Sequence, residues 1–159
     1  MQIISLTLHS ADLSAQQIFY VKKLGFAQNH YTDDELSVQS GKTELKFKFS
    51  SEQPYYHYCF LVPNNKLEEA LNWIKEKTEV IKIDGEYMVE SNSEWEANSI
   101  YFYDGNRNII EFIAHFNLDN GSDKKFSAES VISVNEIGCP STDISGLNNW
   151  LAQEIGTQF

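Results

Sequence analysis

The feature that most limits what this chain can fold into is an internal repeat of strand, helix and further strands, recurring from about residue 55. Ile3-Ile4-Ser5-Leu6-Thr7-Leu8 alternates as a half-buried strand does, and Asp12 stands at an N-cap position before Leu13, Ile18, Phe19 and Val21 at helical spacing. Lys22 and Lys23 complement the dipole at the end of that helix, and Gly25 is suited to stop it. Strands are expected over 26–31, 36–39 and 43–49, with turns at Asp33-Asp34 and Gly41-Lys42. The order then returns. A strand is expected over 56–62, a helix carries Leu67, Ala70, Leu71 and Ile74, and strands follow near 80–83, 88–90, 100–103 and 109–114. Asp104-Gly105-Asn106 is the strongest hairpin signal, because Asp-Gly and Gly-Asn tolerate the positive φ of tight turns.

The repeat divides the chain into a first βαβββ module at 1–50 and a second at 55–116, followed by a polar linker at 117–130. Residues 131–159 resemble the opening of a third unit, with an apolar strand and then Leu147, Trp150, Leu151 and Ile155 at helical spacing. Two explanations stand side by side: a natural end that covers a sheet, or a piece lacking the remaining strands.

Composition excludes several partners. With 159 residues, 42% of them hydrophobic, there is material for one ordinary core. Twelve Lys and Arg against 23 Asp and Glu give a net charge of −11 with no basic cluster, so phosphate backbones and anionic membranes are repelled. Neither nucleic acid nor membrane is an expected partner. The stretch from Met1 to Leu13 has no Lys or Arg and interleaves Ser5, Thr7, His9 and Ser10, unlike a secretory signal. Cys59 and Cys139 are too few for a disulfide framework and read as reduced thiols in a cytoplasm. Asn120-Gly121-Ser122 reads as a flexible turn rather than a glycosylation site.

Four stretches together resemble the vicinal oxygen chelate superfamily, the group of glyoxalases, fosfomycin and bleomycin resistance proteins and extradiol dioxygenases. They are residues 6–13 with Phe19-Tyr20 and Leu24-Gly25-Phe26; Thr43-Glu44-Leu45-Lys46; residues 57–62; and 101–112 with its Asp-Gly-Asn turn. The resemblance runs from about Ile3 to His115. It implies an α+β fold in which paired βαβββ modules form an incomplete barrel, helices outside and a concave small-molecule cavity inside. It also implies a homodimer.

The family holds a divalent metal on the concave face with residues from the first and last strands of each module. Carried over position by position, Glu44 matches the carboxylate of the first module's last strand. His57 matches the imidazole of the second module's first strand, and Glu111 the carboxylate on its last. The fourth position, usually His, falls on Ser5; His9 and His115 are substitutes displaced along their strands. Strand alternation groups the same residues independently, placing Glu44, Lys46 and Lys48 opposite Leu45, Phe47 and Phe49, and Glu111 opposite Ile110 and Phe112. Two carboxylates and an imidazole suit Mn²⁺, Fe²⁺, Ni²⁺ or Zn²⁺. Such an ion would stabilise an enolate or oxyanion while Glu111 moves protons, as in a glyoxalase-like lyase or isomerase. Ring-cleaving dioxygenase chemistry is disfavoured, because its facial triad needs two His and one carboxylate.

A metal-free alternative rests on Lys46, two residues from Glu44 on the same face and able to neutralise Glu44 or Glu111. The cup would then bind or sequester a small molecule, as in bleomycin resistance, with Lys46, Lys48, Tyr101 and Tyr103 forming the pocket. Cys59 shares a face with His57 and is counted with the substrate-binding residues; a small buried hydrophobe is the better reading than a nucleophile. Trp73 and Trp150 are expected to pack on helices, while Trp95 lies in a polar loop where it would cap a cavity or pack.

Overall fold

The computed structural model describes residues 3–91 and 96–156. The first module runs β1 (Ser5–Ser10), α1 (Leu13–Gln17), a π-helical stretch (Ile18–Lys23), β2 (Ala27–Tyr31), β3 (Glu35–Ser40) and β4 (Thr43–Phe49). The second runs β5 (His57–Leu61), α2 (Leu67–Lys75), β6 (Val80–Ile81), β7 (Val89–Glu90), β8 (Ala97–Tyr103) and β9 (Ile109–His115). A 3-10 turn (Ala128–Ser130), β10 (Ser133–Ile137) and α3 (Ile144–Ile155) complete the chain. Asp12 caps α1, accepting from the amide of Ala15 at 2.8 Å. The helix then widens, with the amide of Leu24 donating to Phe19 O at 3.0 Å, and Gly25 ends it at φ 85°.

The repeat is visible in the sheets. In the first, the order is β1-β4-β3-β2 with β1 parallel to β4; in the second, β5 lies parallel to β9 and β9 antiparallel to β8. The counterpart of β2 is split in two: β6 pairs with Phe102 and Tyr101, and β7 with Ser99 and Asn98, consecutively along β8. The chain between them makes a tight excursion with Asp84 and Gly85 at positive φ, which is why the periodicity of this region is weak.

One continuous core spans both modules. Tyr20 stacks on Phe47 with centroids 5.2 Å apart, and Phe102 meets Phe112 edge-on at 4.8 Å. The linker is anchored as well as polar, since Phe126 is buried against Trp73 and Phe112. Cys59, Leu61, Ala97 and Ile113 form a smaller cluster with Ile132 against it. On β5 the first two alternate with Tyr58 and Phe60 of the main core, so this cluster lies on the other face of the second sheet.

The Asp-Gly-Asn turn does more than join β8 to β9. The buried Asp104 carboxylate accepts from the amides of Asn106 and Asn108, both at 2.9 Å, and from Gln16 Nε2 and Asn108 Nδ2, both at 2.8 Å. Tyr20 donates to it at 3.2 Å and is bonded through its hydroxyl to Tyr58. The turn therefore fastens the first module's helix to the second module. The positive φ expected of the Asp-Gly pair falls instead on Arg107, at 65°. Gly105 is needed for a different reason: a Cβ there would lie 2.4 Å from Ala15 O.

Rather than covering a sheet, β10 extends one, pairing antiparallel with β5. It also reaches the first sheet. Ile132 O accepts from the amide of Lys42 at 2.7 Å, and Thr43 Oγ1 accepts from the amide of Val134 at 2.9 Å while donating to Ile3 O at 2.6 Å. Gly41 admits this crossing, since a Cβ there would lie 2.2 Å from Ile132 O. The C-terminal strand thus occupies the seam between the two sheets.

Candidate functional site

A cavity of about 1010 Å³ opens where the edge of β1 faces the entry to β5. Leu6, Thr7 and Leu8 form one wall, residues 54–57 with Tyr103, Arg107 and Ile109 the opposite one, and residues 137–140 after β10 the rim. Its size and apolar walls suit a drug-sized molecule, with few polar groups to orient it. Arg107 stacks on the Tyr103 ring at 3.9 Å and pairs with Glu79 at 3.1 Å. The Tyr56 hydroxyl accepts from the amide of His9 at 3.2 Å, joining the two walls.

His57 joins this cavity to a buried carboxylate. Cys59 stands opposite Glu111 in the parallel β5–β9 register, so His57 lies one pleat away on the same face. Its Nε2 is 3.0 Å from Glu111 Oε2; the imidazole is half-exposed and Glu111 is buried. The Glu111 hydrogen bond raises the His57 pKa above its ordinary value, against the opposing effect of desolvation. Beside them lies Tyr101, its ring centroid 6.0 Å from that of His57, with burial and then the Glu111 charge pushing its hydroxyl up to about 12. Burial also pushes the Cys59 thiol well up, which keeps it protonated and inert.

Glu44 lies elsewhere. It faces Ser5 in the β1–β4 register and pairs with Lys46 at 3.0 Å, whose hydrogen bond holds the Glu44 carboxyl below its usual range. Among the described residues no three His, Cys, Asp or Glu side chains converge where they could hold a metal ion. The convergence of Glu44 with His57 and Glu111 implied by the resemblance is therefore not present. The two carboxylates belong to separate sheets, and β10 occupies the β5 edge at the seam between them. Each is instead matched locally, Glu44 by Lys46 and Glu111 by His57. The donor set as it stands does not fit the family's metal.

Of the residues assigned to a pocket from the sequence, Tyr103 lines the cavity, whereas Lys46, Lys48, Tyr101 and Cys59 are not among its walls. Ser5 and His9 are exposed at the surface of β1, and His115 meets Asn135 at 3.4 Å. Phe49, expected to face the helices, is 53% exposed at the end of β4. Trp95 lies outside the described residues. Sequence reasoning did not assign Tyr55, Tyr56, Arg107 or residues 137–140 to a site. Tyr55, Tyr56 and Tyr58 stand close together in the sequence and were the available signal, while the rim becomes visible only once β10 is docked.

Solved structures share this arrangement of paired modules. A glyoxalase/bleomycin resistance protein/dioxygenase from Alicyclobacillus acidocaldarius is 16% identical, with 73% of this chain and 92% of that one covered and a TM-score of 0.59. The chain has the glyoxalase/bleomycin resistance fold. Lactoylglutathione lyase from Agrobacterium tumefaciens superposes with a TM-score of 0.60 at 17% identity, covering 70% of this chain and 92% of that one. A fosfomycin resistance protein, FosX, from Listeria monocytogenes, complexed with Mn(II) and 1S,2S-dihydroxypropylphosphonic acid, does so at 0.55 and 19% identity, covering 72% and 90%. No protein-family model matches the sequence, and no curated protein does. Among the described residues no helix of this glyoxalase-fold chain is long and apolar enough to cross a membrane.

Proposed function

We propose that this chain binds and sequesters an apolar small molecule in the cavity between β1 and β5, without a metal, in a reducing compartment where both cysteines stay free. The observation that carries the reading is the cavity itself, mostly apolar and bordered by the His57 imidazole and the Arg107 guanidinium. The local pairing of Glu44 with Lys46 and of Glu111 with His57 supports it, since each carboxylate already has a partner. Tyr55, Tyr56 and Tyr103 offer aromatic faces, and Thr7 and His57 supply hydrogen bonds that orient a bound molecule.

The test pairs a binding titration with elemental analysis. The dye 1-anilinonaphthalene-8-sulfonate is expected to bind with about one equivalent, and Ile109→Asp to weaken it about tenfold, because a carboxylate in the cavity wall opposes an apolar ring and repels the sulfonate. Chelator treatment is expected to change neither value. Stoichiometric Mn, Fe, Ni or Zn in protein purified without added metal, lost in His57→Ala, would overturn the reading in favour of a metal-dependent lyase. Absence of saturable dye binding would remove the cavity as the ligand seat.

A further inference from the structure

Residues 137–140 line the cavity, and none of its lining residues lies beyond Pro140. The next element along the chain is α3, which begins at Ile144 after an exposed, irregular stretch at 138–143. Asp143 caps it by accepting from the amide of Gly146 at 2.9 Å, and Gly156 closes it in the left-handed region at φ 70°. It is thus a self-contained helix with both ends specified.

Its surface is incompletely used. Ile144, Leu147 and Leu151 fall at i, i+3 and i+7 with Trp150 beside them, which makes one apolar stripe. Ile144 is 67% exposed and Trp150 55%, correcting the expectation that this tryptophan is a packed residue. Among the described residues α3 makes no more than glancing contact with any other named strand or helix. An amphipathic helix in that position needs an apolar surface to be stable, because a helix of 12 residues is marginal in water.

We propose that α3 is a lid, which swings about residues 138–143 and lays its Ile144–Leu147–Trp150–Leu151 stripe over the mouth of the cavity when a ligand occupies it. Three observations place the helix there rather than elsewhere. The hinge is itself the cavity rim: Gly138 donates from its amide to His57 O at 2.8 Å, and Cys139 and Pro140 line the opening. The tether is long enough to allow movement, since residues 139–143 reach roughly 17 Å when extended, at about 3.4 Å per residue. The surfaces match as well, for the cavity is lined by Leu6, Leu8, Ile109 and Ile137, and the stripe leaves Ile144 and Trp150 exposed while Leu147 and Leu151 are half-buried. Pockets that hold drug-sized molecules enclose most of the ligand's surface, and a lid would add to that enclosure.

The inference rests on the cavity being the ligand seat, and its test separates the two. In the full chain carrying Cys139→Ser, the pair Ile109→Cys and Trp150→Cys is oxidised with and without 1-anilinonaphthalene-8-sulfonate, beside the control pair Gln28→Cys and Trp150→Cys. A lid predicts an intramolecular disulfide that is enriched about tenfold over the control, rises with dye, and is unchanged over about hundredfold dilution. Covalent dimers that vanish on dilution would overturn the lid and assign the stripe to a second copy. No enrichment over the control would overturn it outright. Amide hydrogen exchange of the parent is independent of those variants: residues 144–155 are expected to exchange about tenfold more slowly with dye bound, and an unchanged rate would sink the lid. If the dye does not bind the parent at all, the failure belongs to the ligand seat.

Discussion

The two sheets share one topology but handle their carboxylates in opposite ways. In the first sheet Glu44 and Lys46 form a partly exposed pair, both on β4 and two residues apart. In the second, Glu111 is 5% exposed and bonded to His57 on the neighbouring strand, with Tyr101 beside it. The difference comes from what covers each strand. The second sheet carries an added strand, β10, and the cluster of Cys59, Leu61, Ala97 and Ile113, which removes water from one face. A duplicated backbone therefore does not duplicate chemistry, because the strength of an ion pair depends on its access to solvent.

Mutations at the seam test whether the two halves are one unit. Asp104→Ala leaves Gln16, Tyr20 and Asn108 donors buried without their acceptor and is expected to destabilise by about 3 kcal/mol or more, read as the urea midpoint. A two-step transition for this variant would show the modules unfolding apart; a single step would show that the continuous core still couples them. Thr43→Val removes the hydroxyl that bridges Ile3 and Val134, with an expected loss of about 1–2 kcal/mol and faster exchange of the Val134 amide.

Charge variants then address the contrast within the sheets. Glu111→Gln is expected to return the His57 pKa toward its ordinary value, measured by proton NMR of the imidazole, at a stability cost of about 1 kcal/mol at neutral pH or below. Because the folded-state pKa of His57 is raised above 6.5, its contribution is complete below that pH and is lost as pH rises through the folded value. Parental stability should therefore decline on that alkaline side, and Glu111→Gln should flatten the decline. Lys46→Ala, at the bottom of the scale, is expected to leave the urea midpoint unchanged, since its partner is open to solvent. A clear loss there would erase the distinction between the sheets.

Much of the architecture was legible in the chain because it is local. The Asp12 cap, the stop at Gly25, the apolar alternation on β4 and the Asp-Gly-Asn turn each act over a few residues and leave a local trace. Pairing of Lys46 with Glu44 was legible for the same reason, being a matter of strand period. The weak points were also physical: β6 and β7 have two residues each, too short for a pattern, and the use of Gly105 depends on the approach of Ala15.

By itself, then, the sequence determined the repeated βαβββ order and the faces of the long strands, both properties of neighbouring residues. Only the tertiary structure decided that Glu111 pairs with His57, apart from Glu44. It also decided that residues 137–140 rim a cavity with Leu6 and Tyr56, and that α3 is left with an exposed tryptophan. These outcomes depend on where β10 enters the seam, a contact between segments about ninety residues apart, as in the bond from Val134 to Thr43. Periodicity records which face a residue takes within its own strand; it carries no record of which edge a distant strand will find.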